Sequence, residues 1–234
     1  MYSIAADMHT HSIASGHGID TIRTLCEFGV KRGLEGIAIT DHGPGLPGGA
    51  GYFHFWSLRR MVGGLDLPIR IFTGIEDEIV SKNGDLSLRP DIRKDLDIVM
   101  TGLHPDTWIA EQNLTVRTDA VIETMIRGSI HLFTHPVSTY LDVEIDRVLE
   151  AAAEHSIALE LNASKLDQRE KLIRYLEQCA DRKIGILVNS DAHLGEEVGV
   201  FQDALALLKE IDFPQTLVLN RNRETIASYL GVEW

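Results

Sequence analysis

The sequence predicts an α/β barrel in a single domain spanning residues 1–234. Three observations carry this. Apolar stretches of strand length alternate with amphipathic stretches of helix length, an order that gives a mainly parallel sheet. Seven strands are legible, and six of them end on His, Asp or Glu, as in barrels whose sites are built at the C-terminal ends of the strands. A length of 234 residues also suits one α/β barrel, a fold that takes roughly 200–250 residues and buries a full core without staples.

Taken in order, Ile4, Ala5 and Ala6 lead into Asp7-Met8-His9-Thr10-His11 and read as a short buried strand with its polar residues at the C-terminal end. His9 and His11 are two apart, so strand geometry puts both imidazoles on one face, about 6–7 Å apart along the chain. Alone, such a pair is as readily one surface and one core histidine. Residues 21–32 place Ile22, Leu25, Cys26 and Val30 at helical spacing, with Gly33 as the stop. Residues 36–40 form the second strand, ending at Asp41-His42-Gly43-Pro44, and a Gly/Pro-rich loop runs on to Gly51. Residues 53–61 read as a short helix that contains His54. The third strand, 69–76, ends on Glu76, and residues 78–88, with Asn83-Gly84, carry the signature of a small hairpin. Residues 96–103 are the fourth strand, ending at His104-Pro105. A helix at 120–127 precedes the fifth strand, 129–134, which ends at His135-Pro136. Residues 142–155 are a helix with Asp142 as N-cap, 157–161 the sixth strand, and 166–182 a long amphipathic helix. The seventh strand, 184–189, ends at Ser190-Asp191-Ala192-His193, and helices at 201–210 and 222–230 close the chain.

Composition narrows the function. The content of 44% hydrophobic and 24% charged residues is that of an ordinary soluble globular chain. No apolar run approaches a membrane span, and no basic segment followed by an apolar one marks an export signal. Cys26 and Cys179 stand alone in helix-like patterns and read as packed thiols of a reducing, cytoplasmic protein. A formal charge of −13 argues against a nucleic-acid backbone as the standing partner. Ten histidines against 22 Lys plus Arg tilt the balance toward metal chemistry.

The residues at the strand ends are His9, His11, His17, His42, Glu76, His104, His135, Asp191 and His193. Neutral imidazole with carboxylate suits Zn²⁺ and, less selectively, Mn²⁺ or Fe²⁺. Nine such groups exceed what one tetrahedral ion can use, so two or three ions are needed, with at least one carboxylate bridging. Neighbouring metal ions are the usual machinery of phosphate-ester hydrolysis, clamping the attacking and leaving oxygens and making hydroxide at neutral pH.

Six motifs carry a resemblance: Asp7-Met8-His9-Thr10-His11, Thr40-Asp41-His42, Gly74-Ile75-Glu76, Gly102-Leu103-His104, Thr134-His135-Pro136 and Asn189-Ser190-Asp191-Ala192-His193. The chain resembles the PHP (polymerase and histidinol phosphatase) superfamily from residue 7 to about residue 230, and within it the compact YcdX-type phosphatases. Ile39-Thr40-Asp41-His42-Gly43-Pro44, Leu159-Glu160-Leu161-Asn162 and Ile211-Asp212-Phe213-Pro214 add to it. The resemblance implies a distorted (β/α)7 TIM-like barrel with a site for three divalent ions, usually zinc. It implies that His9, His11, Glu76 and Asp191 hold one ion, and that Glu76 bridges to a second held with His104 and His135. His17, His42 and His193 would hold the third. It further implies attack on phosphorus by a hydroxide bridging two ions, with Glu76 and Asp191 central to catalysis and activity falling as the histidines protonate in acid. All nine ligand positions are filled by usable types; the glycine content of residues 43–52 is higher than expected there.

Other residues are weighed beside these. His54, next to the glycine-rich loop, is a candidate proton donor to the leaving group. His155 ends a helix, where a cation suits the macrodipole, and His131 lies at the wrong end of its strand for the site. Asp7 and Asp41 adjoin ligands and are placed either to orient imidazoles or to hold strand-end backbone. Arg221-Asn222-Arg223 reads as a charge cluster at a helix start. The expected activity is hydrolysis of a small phosphorylated substrate, a phosphomonoester first. The rivals are a histidinol-phosphate phosphatase, a 3′–5′ exonuclease-like phosphodiesterase and a non-catalytic metal-binding module. The sequence leaves a homo-oligomer open.

Overall fold

A computed structural model describes residues 2–137 and 141–234. Seven strands run in chain order, each parallel to the next: β1 (Ala6–Asp7), β2 (Gly36–Ile39), β3 (Arg70–Asp77), β4 (Ile98–Thr101), β5 (Leu132–Phe133), β6 (Ala158–Asn162) and β7 (Ile186–Asn189). The helices are α1 (Ile22–Lys31), α2 (Tyr52–Gly63), α3 (Pro90–Arg93), α4 (Leu114–Ile126), α5 (Ile145–His155), α6 (Arg169–Asp181), α7 (Gln202–Glu210) and α8 (Arg223–Leu230). This is a nearly closed barrel of the (β/α)7 kind. No helix among the described residues is long and apolar enough to cross a membrane.

Side-chain alternation divides the core in two. In β2, Ile37 and Ile39 point out to the helices, with Leu25, Cys26 and Leu58 in the same layer, while Ala38 points in. In β3, Phe72 is inside and Ile71 and Ile75 are outside, which puts Gly74 and Glu76 on the inner face above Phe72. The interior is packed by Ala6, Met8, Phe72, Ile98, Met100, Leu132 and Leu187 and is plugged from below by Ile226 and Leu230 of α8. The barrel therefore has a solid apolar floor, and the inner positions above it are free for polar side chains.

Seven strands leave a seam between β7 and β1. Its upper part is a single parallel bridge, Thr10 to Ala192, with His11 N–H donating to Ala192 O at 2.7 Å. Lower down Asn220 stands in for the missing ladder. Its Nδ2 donates to Ala6 O (2.9 Å) and Val188 O (2.7 Å), its Oδ1 accepts from Val188 N–H (3.1 Å), and its own carbonyl accepts from Ala5 N–H (2.9 Å).

Several boundaries differ from the sequence expectation. The helix expected at 120–127 begins at Leu114, because the Asn113 side chain caps Val116 N–H at 3.0 Å. The helix expected from 142 begins at Ile145; Asp142 is not its cap, and Glu144 occupies that position without a side-chain cap bond. The helix expected from 166 begins at Arg169, since residues 163–165 form a turn on Asn162. The stretch 78–88 folds back through one antiparallel bridge, Ile79 to Leu86, rather than through two strands. Gly33 does end α1, at a φ of +76° that favours glycine. Asn222 caps α8 through Thr225 N–H, which fits the helix-start reading of Arg221 to Arg223.

Candidate metal centre

The upper rim gathers the strand-end residues. His9 and His11 do share a face: their Nε2 atoms lie 2.9 Å apart. Glu76 Oε2 is 3.2 Å from His9 Nε2 and 3.4 Å from His11 Nε2, and Asp191 Oδ1 is 3.4 Å and 3.2 Å from the same two atoms. All four residues are buried.

Neighbouring groups decide which ring nitrogen carries the proton. His9 Nδ1–H donates to Glu160 Oε1 at 2.7 Å. Ser15 Oγ gives its proton to Asp41 Oδ1 (2.8 Å), so it accepts from His11 Nδ1–H at 3.0 Å. In the neutral rings both Nε2 atoms are then bare lone pairs pointed at one another and at two carboxylate oxygens. Four acceptors facing one point repel unless a cation sits among them. A tetrahedron with ligand bonds of about 2.0–2.1 Å has edges of roughly 3.3–3.4 Å, which the distances of 2.9–3.4 Å here approach. The donor set fits a divalent metal.

Glu76 continues on its other side. Oε1 lies 3.2 Å from His135 Nε2 and 3.6 Å from His104 Nε2, and these two nitrogens are 3.2 Å apart. His104 Nδ1–H donates to Glu78 Oε1 at 2.8 Å, which in the neutral ring again leaves Nε2 bare. Thr134 Oγ1 donates to Glu76 Oε1 at 2.6 Å and sets the carboxylate's rotation. The third group is more open. His17 and His193 approach through Nε2 at 2.8 Å, and His193 Nδ1–H donates to the carbonyl of Asp191 at 2.9 Å. His42 lies between the groups: its Nδ1 is 3.3 Å from Glu76 Oε2, and its ring stacks on those of His11 and His17 at 4.4 and 5.1 Å. Its Nδ1, Glu76 Oε2, Glu78 Oε2 and His135 Nδ1 are buried without a hydrogen-bond partner, as expected of polar atoms placed for something other than the protein.

The electrostatics are those of buried imidazoles and carboxylates in close mutual contact. Burial opposes charge on His9, yet Glu76, Glu160 and Asp191 together hold it well above the ordinary imidazole range. Burial likewise opposes charge on His104, but Glu78 and Glu76 lift it to about 9. Burial takes His11 down to about 4 and, with His11 beside it, holds His42 well below its usual value. Glu76 and Asp191 lie well below the carboxylate range, since His9 and its neighbours outweigh their burial. Two of the gathered residues, His135 (φ 31°) and Asp191 (φ 56°), hold left-handed backbone, a strain characteristic of functional positions.

The structure separates the roles open to Asp7, Asp41 and His54. Asp7 touches no imidazole; it accepts from Ser190 Oγ and N–H and from Gly199 N–H, tying the end of β1 to the loop after β7. Asp41 reaches the metal-facing His11 only through Ser15, while accepting from Ser12 N–H at 2.6 Å. His54 Nε2 is 2.9 Å from Asp41 Oδ2, so this nitrogen is engaged by the carboxylate that also holds Ser15. His131 accepts Val99 N–H at the floor of the barrel, and His155 ends α5 at that same end, just before β6.

The sequence reading missed Glu78, Glu160, Ser15 and Lys165. Glu160 receives His9 Nδ1–H, His135 N–H (2.8 Å) and Asn189 Nδ2–H (2.9 Å) and so fixes two of the histidines. Its signal was a lone carboxylate inside an otherwise apolar strand. Glu78 lies two residues beyond Glu76.

Comparison with known proteins gives the family and the fold. The PHP domain profile matches residues 7–229. A protein named a probable phosphatase, from Caldanaerobacter subterraneus subsp. tengcongensis, is 33% identical over 232 residues, covering 97% of this chain and 91% of its own. Another so named, from Shewanella oneidensis, is 31% identical over 234 residues, covering 96% and 90%. Among solved structures the chain is similar in fold to a histidinol phosphate phosphatase from Lactococcus lactis complexed with zinc, L-histidinol and phosphate. The TM-score is 0.60 at 19% identity, with 90% of this chain and 94% of that one covered.

Proposed function

The chain belongs to the PHP-domain family, and from that premise we propose that it is a metal-dependent phosphatase acting on a small phosphorylated molecule, a phosphomonoester first. The observation that carries the reading is the inward-facing set of His9 Nε2, His11 Nε2, Glu76 Oε2 and Asp191 Oδ1 at 2.9–3.4 Å. We assign these residues to one metal position, Glu76 with His104 and His135 to a second, and His17, His42 and His193 to a third, with zinc best suited to the donors. Bound divalent ions would supply Lewis acidity for phosphoryl oxygens and acidify water at neutral pH.

The chain's own groups do the remaining work. Glu160, Ser15 and Glu78 hold Nδ1–H of His9, His11 and His104, so each neutral ring presents its Nε2 lone pair without rearranging. Thr134 holds Glu76 so that one carboxylate serves two pockets. The net charge of −13 favours a small phosphoester over a polynucleotide, which needs a basic footprint.

The test is elemental analysis paired with hydrolysis of p-nitrophenyl phosphate and its bis-ester on one sample. Two to three ions per chain with chelator-sensitive turnover, faster on the monoester, is the expected result. No metal uptake even after reconstitution would sink the proposal. Glu76→Ala should remove metal from both adjoining pockets and lower kcat at least about a thousandfold, in the manner of a lost transition-state clamp; full turnover in that variant would contradict the shared carboxylate.

A further inference from the structure

We propose that Lys165 is the side chain that meets the substrate's phosphate, an assignment that rests on the phosphatase reading. Lys165 lies in the turn after β6, and that turn is firmly built. Ala163 N–H donates to Asn189 O (2.8 Å), Ser164 N–H and Oγ–H donate to Asn162 Oδ1 (3.0 and 2.8 Å), and Lys165 N–H closes on Asn162 O (3.3 Å). The Lys165 ammonium rests on Asp191 Oδ2, an oxygen that Asn162 Nδ2 also reaches at 3.1 Å. Among the described residues, no other lysine or arginine lies within ion-pair distance of Glu76, Glu78, Glu160 or Asp191. The Lys165 side chain is 29% exposed, so its cation borders both the cluster and the solvent from which substrate arrives.

Charge gives the first argument. A phosphomonoester dianion must approach four carboxylates in a chain of net charge −13, and among the described residues Lys165 is the one lysine or arginine paired at their edge. Geometry gives the second. Asp191 turns Oδ1 toward His9 and His11 and Oδ2 toward Lys165, so a phosphate seated over the first pocket lies beside the ammonium. Competition gives the third. A cation shared at Oδ1 draws charge from the carboxylate and loosens its hold on Lys165, whose flexible four-carbon stem can then carry a point charge onto a phosphate oxygen. A diester, with one charge fewer, gains less from the same contact, so Lys165 would also set a preference for monoesters.

The test uses the metal-loaded full chain with inorganic phosphate as probe, comparing wild type, Lys165→Gln and Lys165→Arg. Calorimetry reads phosphate affinity, elemental analysis reads metal content, and kinetics on p-nitrophenyl phosphate and its bis-ester read kcat and KM. The expected result is unchanged metal content and phosphate binding weakened about ten- to hundredfold in Lys165→Gln, the worth of a charge-assisted hydrogen bond. Monoester hydrolysis should fall more than diester hydrolysis, and Lys165→Arg should recover part of the loss. Wild-type turnover with phosphate affinity unchanged in Lys165→Gln would overturn this assignment alone. Loss of metal in Lys165→Gln, with both esters equally affected, would overturn it in favour of a role in holding Asp191. A wild type that takes up metal yet neither binds phosphate nor cleaves either ester would overturn the phosphatase reading and this assignment with it.

Discussion

His9 and His104 carry the pH behaviour of the centre. Both are held above the ordinary imidazole range, His104 at about 9, so on the proposed assignment a proton at each ring competes with metal. Metal and proton compete for Nε2, hence metal affinity is lost as pH falls and gained as pH rises toward 9. Titrating the metal-free chain with zinc in weak buffer at pH 7 should release about one proton from each of the two rings, and affinity should tighten up to roughly tenfold per pH unit for each proton displaced. Binding independent of pH between 6 and 9 would refute this. Gly102 is a second sensitive point. A Cβ there would sit 2.5 Å from Thr134 Oγ1, 2.6 Å from His135 Cε1 and 2.8 Å from Glu76 Oε1. Gly102→Ala should therefore unseat the second pocket, with roughly one metal lost per chain and kcat down about a hundredfold, a cost typical of an ångström-scale misplacement. Elemental analysis and kinetics would check it. Much of this residue-level arrangement was legible in the sequence. His9 and His11 announce themselves because strand side chains alternate with period two, and Glu76 because it ends a strand. Glu160 was not, because a residue that serves His9 across 151 positions leaves no spacing to read, and Ser15, though only four residues from His11, carries no residue type that marks a metal site.

At the scale of elements, the strands were easier to find than their neighbours. Each inner strand announces itself as a short apolar run, whereas helix starts depend on single capping bonds. Asn113 caps α4 with a bond that lengthens the helix beyond its apolar pattern, and the Asp142 expectation failed because Glu144 takes the cap position without a side-chain bond. The seam was invisible for a different reason: nothing in Leu219-Asn220-Arg221 looks like a strand, yet Asn220 does a strand's hydrogen bonding with one amide. Truncating it would leave Val188 N–H, Ala6 O and Val188 O unpaired in the interior. At about 1–3 kcal/mol for each unsatisfied group, partly relieved by relaxation, Asn220→Ala should cost about 3 kcal/mol. For a chain of this size that lowers Tm by roughly 6–12 °C. Because the seam also sets the position of β1, the variant should bind metal at the His9 and His11 pocket more weakly. A melt within 2 °C or so of wild type would show that β1 and β7 are held by other means.

For the whole molecule, the apolar floor and the polar rim make separate contributions. Phe72, Met100, Leu132 and Leu187 fill the lower barrel and are sealed by Ile226 and Leu230. The rim above holds four buried acidic side chains, Glu76, Glu78, Glu160 and Asp191, against imidazoles whose lone pairs converge. On the proposed assignment, metal would stabilise the rim without being required to assemble the floor. A ligand at one hundred times its Kd adds about 2.7 kcal/mol, which for 234 residues raises Tm by roughly 5–11 °C per independent site. Chelated protein should therefore keep its far-ultraviolet circular dichroism while melting earlier, and Tm should climb with free zinc in steps as the pockets fill. The His17 and His193 pair is the more exposed group, so its step should come last and at the highest zinc. In a chain with Glu76→Ala, the climb should shrink to that last step, because the two pockets that share the carboxylate are lost together. If chelation instead abolished secondary structure, the metal would be a folding nucleus and the floor could not stand alone.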